Sequence, residues 1–198
     1  MEQAFIWFFR QIMEEEYVSD GKYSHLEYAA FKAFILHSND LCAYMRNQRN
    51  PLEDAYETGI FTICDFINKN KGVKASGKIL YRGTRLPNSI FEHVIQSGYY
   101  SDCAFLSTSD SLDDAKRFVV MDQHEDPQET HTMVLFSIVS HCTGVDISDL
   151  SLIHGIDGKE TIFNPGTVFK VMEVKQTFLP NETARIVYEI TLEEEVKN

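Results

Sequence analysis

The first third of the chain carries its apolar residues at helical spacing. From Ala4 to Glu16 they fall at Phe5, Phe8, Phe9, Ile12 and Met13, which predicts a helix with one apolar face. Ser24 and Glu27 stand as Ser-x-x-Glu, a capping box in which side chain and backbone satisfy each other reciprocally. It predicts a second helix that turns Leu26, Ala29, Ala30, Ala33, Phe34 and Leu41 to the core. Asn50 as cap and Pro51 in the first turn predict a third helix running to about Lys69. Gly72 and Gly77 then mark a loop.

Beyond about residue 75 the pattern changes to short apolar and alternating runs. Lys78 to Gly83 predicts a short strand ending at its glycine, and Phe105 to Ser109 predicts another. A helix from about Leu112 to Val120 follows, with Ser109 or Ser111 as its cap. The polar, proline-containing stretch from His124 to Thr130 reads as a loop, and Thr132 to Val139 as a strand. Thr161 to Phe163 and Val168 to Val174 read as strands around the turn Asn164-Pro165-Gly166-Thr167. Arg185 to Leu192 alternates through Ile186, Tyr188, Ile190 and Leu192, the pattern of a half-buried strand. Helices followed by many strands, without βαβ alternation, predict an α+β fold. The chain reads as one domain over residues 1–198, helical over 1–75 and mainly β over 76–198.

Composition agrees with a packed domain: 198 residues, 43% hydrophobic and 24% charged, are enough for a core without disulfides or metals. The formal net charge of −12 and the lack of a basic stripe exclude general nucleic-acid binding and an anionic membrane surface as first readings. Cys42, Cys64, Cys103 and Cys142 are widely spaced, form no CxxC pair and fit a reducing compartment. No metal-ligand spacing is present. No apolar run is long enough to span a membrane, and the run from Ala4 to Phe9 is too short and too acidic at its start for a signal peptide.

Three segments carry candidate chemistry. In Tyr81-Arg82-Gly83-Thr84-Arg85, an arginine beside a glycine can hold a phosphate in a bidentate grip while the glycine admits a ligand to the backbone; it can also be a surface arginine. In Ser107-Thr108-Ser109, hydroxyl groups can orient a ligand or a carboxylate, or simply cap the next helix. Glu160 stands where an irregular stretch meets an apolar strand, a position that suits a site carboxylate and equally a charged strand edge that limits aggregation.

The order of these segments resembles the arginine, Ser-Thr-Ser and glutamate signature of the mono-ADP-ribosyltransferases, in the branch related to cholera toxin and the vertebrate ecto-enzymes. The likeness extends to Phe105-Leu106 before the serines, Ala115 and Phe118 after them, and the run from Glu160 to Phe169. Tyr56-Glu57-Thr58-Gly59 with Ile67-Asn68 also resembles a helix of that family. The resemblance covers roughly residues 52 to 192, and residues 1 to 50 carry none. It implies two perpendicular β-sheets with NAD, the co-substrate, in the cleft between them. It implies that Arg82 binds the NAD phosphates and braces the cleft, and that Gly83 contacts the nicotinamide amide through its backbone. Ser107 would position Glu160 and the nicotinamide ribose, and Glu160 would stabilise the positive charge developing on that ribose. It further implies a protein acceptor and a soluble bacterial toxin or effector that is exported and works in another cell's cytoplasm.

One position departs from the family. Many members carry Glu or Gln two residues before the catalytic glutamate, where it orients the acceptor; here that residue is Gly158, with Asp157 and His154 nearby in sequence. Transfer to a protein leads. Hydrolysis of NAD, and a binding domain without turnover, stand as alternatives.

Overall fold

The helical part closes on itself through alanines and aromatic rings. In a computed structural model, residues 4–18, 21–47, 54–71, 78–120, 130–151, 159–178 and 186–196 are described. Asn50 and Pro51, Gly72 and Gly77, residues 124–129 of the expected loop, His154, Asp157, Gly158 and Arg185 lie outside them. Helices α1 (Ala4–Glu14), α2 (His25–Arg46) and α3 (Asp54–Asn70) occupy the expected positions. Both arms of the capping box form: the Ser24 side chain accepts from the Glu27 amide, and the Glu27 carboxylate accepts from the Ser24 amide. Ala29, Ala30 and Ala33 are fully buried, and their small side chains let α2 lie close to Phe5, Phe9 and Ile12 of α1. Gly59 serves the same end on α3, since a Cβ there would press on the Phe5 ring. Leu26 and Met13 depart from expectation: both are exposed, and Ile6 is buried instead. Helix α2 also breaks at His37, whose φ of −134° and ψ of 36° are not helical.

The strands are β1 (Leu80–Pro87), β2 (Tyr99–Tyr100), β3 (Leu106–Ser109), β4 (His131–Ser140), β5 (Val145–Asp146), β6 (Glu160–Phe163), β7 (Phe169–Phe178) and β8 (Ile186–Glu194). They form one hydrogen-bonded series, β2-β7-β8-β4-β1-β3-β6-β5. Every pairing is antiparallel except β4 with β8. The series divides into a five-strand and a three-strand sheet, joined among the described residues by the single pair Tyr81–Ser109 between β1 and β3. The α+β architecture expected from the sequence is therefore present, with its two sheets bridged at one position.

Each layer of core has a distinct lining. Leu80, Phe136, Ile190 and Leu192 from the larger sheet meet Leu106 and Phe163 from the smaller one. The opposite face of the smaller sheet presents Ile162 and Val145, with Phe105 beside them, to the three helices. Helix α5 (Leu112–Val120) covers the outer face of the larger sheet by placing Ala115 and Val119 on Met133, Leu135 and Val187.

Several strands differ from expectation for reasons of pairing. Strand β1 continues past Gly83 to Pro87, because β4 pairs with all eight of its residues. Strand β7 likewise runs on to Phe178 along β8. Strand β8 keeps its alternation toward its end, with Ile190 and Leu192 buried and Glu193 exposed; near its start Val187 is buried against α5 while Ile186 is exposed. Helix α4 (Asn88–Ser97) has no counterpart in the sequence reading, although Gly98, at φ 74°, closes it in the left-handed conformation that glycine favours. The Asn164–Thr167 turn forms as read, with Gly166 at φ 75°. All four cysteines are free, and among the described residues no helix is long and apolar enough to cross a membrane.

The end of β8 fastens the turn between β4 and β5. The carboxylate of Glu194, itself buried, accepts from the amides of Cys142 (2.6 Å) and Thr143 (3.0 Å) and from the Thr143 hydroxyl. Glu194→Ala leaves these donors without an acceptor and is expected to cost about 1–3 kcal/mol. Urea unfolding reads this directly, with Glu194→Gln falling between the two; equal midpoints for all three proteins would contradict the role.

Candidate active site

The smaller sheet peels away from β1 after a single pair, and the side chain of Arg82 crosses the gap. Its Nη1 donates to the Ser107 carbonyl at 2.7 Å. Its Nε is buried with no hydrogen-bond partner among the described residues. Arg82 thus sits in the middle of β1, not at a strand end as the sequence reading expected, and its register partner is Phe136.

Strands β3 and β6 bring the other two segments together. Ser109 lies opposite Glu160 and Ser107 opposite Ile162, so all four side chains share one face. The Ser107 hydroxyl donates to Glu160 Oε1 in a short hydrogen bond. Thr108 points the other way, is buried, and donates to the Thr161 carbonyl at 2.8 Å. The face that carries Ser107 and Glu160 is the face whose Ile162 packs on the helices. At its edge Asn164 Nδ2 donates to Asn68 Oδ1 of α3 at 3.1 Å. Ser111 caps α5 by accepting from the Asp114 amide, and Ser109 in turn accepts from the Ser111 amide.

Gly83 has a structural reason that the sequence did not reveal. A Cβ at this position would overlap the Ala115 carbonyl oxygen of α5 and lie 2.8 Å from Val119 Cγ2. Glycine therefore lets α5 settle on β1. Arg85 falls on the same face of β1 as Gly83, by the two-residue period of a strand, and its Nε donates to the Val119 carbonyl at 3.2 Å. It projects from the opposite face to Arg82, so the two arginines do not share one site.

Three further residues join the site that sequence reasoning missed: Arg46, Tyr100 and Asp102. Arg46 grips Asp102 with two hydrogen bonds, Nε to Oδ1 at 3.1 Å and Nη2 to Oδ2 at 2.7 Å. Burial alone would raise the Asp102 carboxyl, but the Arg46 hydrogen bond, the Ala104 amide and the charges of Arg46 and Arg82 outweigh it and hold it below its ordinary value. Burial pushes the Tyr100 phenol up to about 12, against the pull of the Arg82 charge. Tyr100 is therefore neutral at physiological pH. Burial likewise raises the Cys42 thiol, which argues against a reactive thiolate. Arg46 reads in sequence as an ordinary basic helix end, and Asp102 as a loop residue. Among the described residues no cluster of His, Cys, Asp or Glu could hold a metal ion.

No protein-family model matches the chain, and no curated protein matches its sequence. Solved structures do match. The Vis toxin, an ADP-ribosyltransferase from Vibrio splendidus, is 20% identical, with 98% of this chain and 84% of that one covered and a TM-score of 0.66. Exoenzyme S from Pseudomonas aeruginosa, solved with human 14-3-3 protein beta and bound to carba-NAD, is 19% identical over 96% of this chain and 88% of its own, at a TM-score of 0.65. An ADP-ribosyltransferase from Clostridium botulinum is 14% identical, with 98% of this chain and 96% of that one covered and a TM-score of 0.58. The chain has the fold of these ADP-ribosyltransferases.

The packing of Gly83 yields a test that needs no ligand. Gly83→Ala is expected to lower stability by about 1–3 kcal/mol or more, because the clash is with backbone that cannot rotate away. Thermal melting of the unliganded variant reads this; an unchanged melting temperature would show that α5 has room to spare.

Proposed function

We propose that this protein is a mono-ADP-ribosyltransferase that cleaves NAD and passes ADP-ribose to a protein acceptor, releasing nicotinamide. The observation that carries the reading is the Ser107–Glu160 hydrogen bond on a sheet edge spanned by Arg82. The donor set suits the substrate. A planar guanidinium with a buried, unused Nε matches the pyrophosphate.

The chemistry asks little more. The bond from the nicotinamide nitrogen to the ribose breaks with its electron pair leaving on nicotinamide, a good neutral leaving group. Positive charge develops on the ribose, as in glycoside hydrolysis. A fixed carboxylate at Glu160, oriented by Ser107, stabilises that charge without having to reorganise. The acceptor's lone pair then forms the new bond to the ribose carbon, and the acceptor loses a proton. Gly83 contributes backbone only; its contact with the nicotinamide amide is part of the proposal.

Fold likeness to the Vis toxin and exoenzyme S supports reading the chain as a toxin or effector acting in another cell. Hydrolysis with water as acceptor is the second reading, favoured by Gly158, which offers no side chain to orient a nucleophile. A binding domain without turnover is the weakest, since the carboxylate and its serine are already in hydrogen-bond contact.

Incubation with labelled NAD and a cell lysate, followed by separation of protein-bound label from free ADP-ribose, discriminates these readings. Label on protein is expected. Glu160→Gln should slow nicotinamide release by about 10²–10³-fold with the fold intact. Arg82→Lys should weaken NAD binding, because lysine keeps the charge but loses the fork. Free ADP-ribose alone would establish the hydrolase reading, and turnover undiminished in Glu160→Gln would remove that residue from the mechanism.

A further inference from the structure

The residues around Asp102 form a junction between three parts of the chain that sequence order keeps far apart. Its carboxylate receives two hydrogen bonds from Arg46, at the C-terminal end of α2. The same Oδ1 accepts from the Ala104 amide at 3.0 Å, two residues before β3. Its carbonyl accepts from the Gly166 amide at 2.7 Å, in the turn that follows β6. The Asp102 side chain is only 12% exposed, so this ion pair is shielded on one side, unlike Lys69–Asp65 and Lys175–Glu173, whose partners both face solvent. Two residues away, Tyr100 is buried within reach of the Arg82 charge. The charges of Arg46 and Arg82 both reach Tyr100, Asp102 and Cys42. Two guanidiniums so placed repel each other, and the nearby carboxylate offsets that repulsion.

We propose that Asp102 is a positioning residue for the NAD site: by holding the Arg46 guanidinium in a bidentate grip it fixes α2 against β3 and the turn after β6, and keeps Arg82 and Ser107 in their working geometry. It touches no reacting atom. The role rests on the proposed function, and it extends the site to α2, within the first fifty residues, which carry no resemblance to the family.

Loss of a positioning group for a binding arginine raises KM for NAD and changes kcat far less, because the interaction it supports is present in both ground and transition states. Loss of a merely structural contact lowers the folded fraction, and with it the apparent kcat at unchanged KM. The experiment measures nicotinamide release and thermal melting for Asp102→Asn, Arg46→Lys and the double variant. Each single change removes a charge or the fork from the pair, so each should raise KM about tenfold. The double variant should be no worse than the worse single one, as groups acting through one contact are not additive. Asp102→Glu, which restores the charge, should recover part of the loss. Should Asp102→Asn fail to fold, Arg46→Lys, changed at the half-exposed partner, reads the same quantity. Unchanged KM in the folded variants, or a fall in kcat alone, would overturn the role. The wild-type protein and Glu160→Gln run alongside. A wild type that neither binds NAD nor releases nicotinamide would defeat the proposed function and this role with it. Wild-type turnover with unchanged KM in the variants would defeat the positioning role alone.

Discussion

The separation of β3 from β1 is the constraint on which the site depends. A sheet that stayed paired along this boundary would have no gap to hold a ligand, and the hydrogen-bonding groups on both edges would be consumed. Here the two strands meet at one pair, Tyr81–Ser109, and the guanidinium of Arg82 reaches across to the Ser107 carbonyl. One charged donor thus replaces the lost ladder while remaining available to a second, anionic partner. Helix α5 makes the arrangement possible from behind. It lies so close to β1 that only glycine fits at residue 83.

The electrostatics of the site run against those of the whole chain. The protein carries a formal net charge of −12, yet Arg46 and Arg82 gather near one another around a single shielded carboxylate. In the proposed function this is where the pyrophosphate is drawn. The Glu160 carboxylate lies on the sheet face shared by Ser107, Ser109 and Ile162.

Much of this was legible in the chain, and the failures have physical causes. The capping box at Ser24 and Glu27, the Pro-Gly turn at Asn164–Thr167 and the helix from Leu112 to Val120 are local features, and local rules found them. Strand length was misjudged where pairing decides it, as in β1, which β4 extends to Pro87. Strand β8 alternates as read over Ile190 and Leu192, but α5 buries Val187 and leaves Ile186 exposed, which no local pattern shows. The triad Arg82, Ser107 and Glu160 was readable only because its order and flanking residues resemble a family; composition alone would not have singled out any of the three. Arg46, Tyr100 and Asp102 left no signal. Their meaning is a contact between residues more than fifty positions apart in the case of Arg46 and Asp102, and no pattern within one segment encodes that.

A crystal structure of the protein with a non-hydrolysable NAD analogue tests the central claim most directly, because that claim is about where the parts of the ligand lie. The account expects the pyrophosphate against the Arg82 guanidinium and the nicotinamide ribose facing the Glu160 carboxylate, with the Ser107–Glu160 hydrogen bond retained. An analogue bound on the α5 side of β1, beside Arg85, or with its ribose turned away from Glu160, would contradict it.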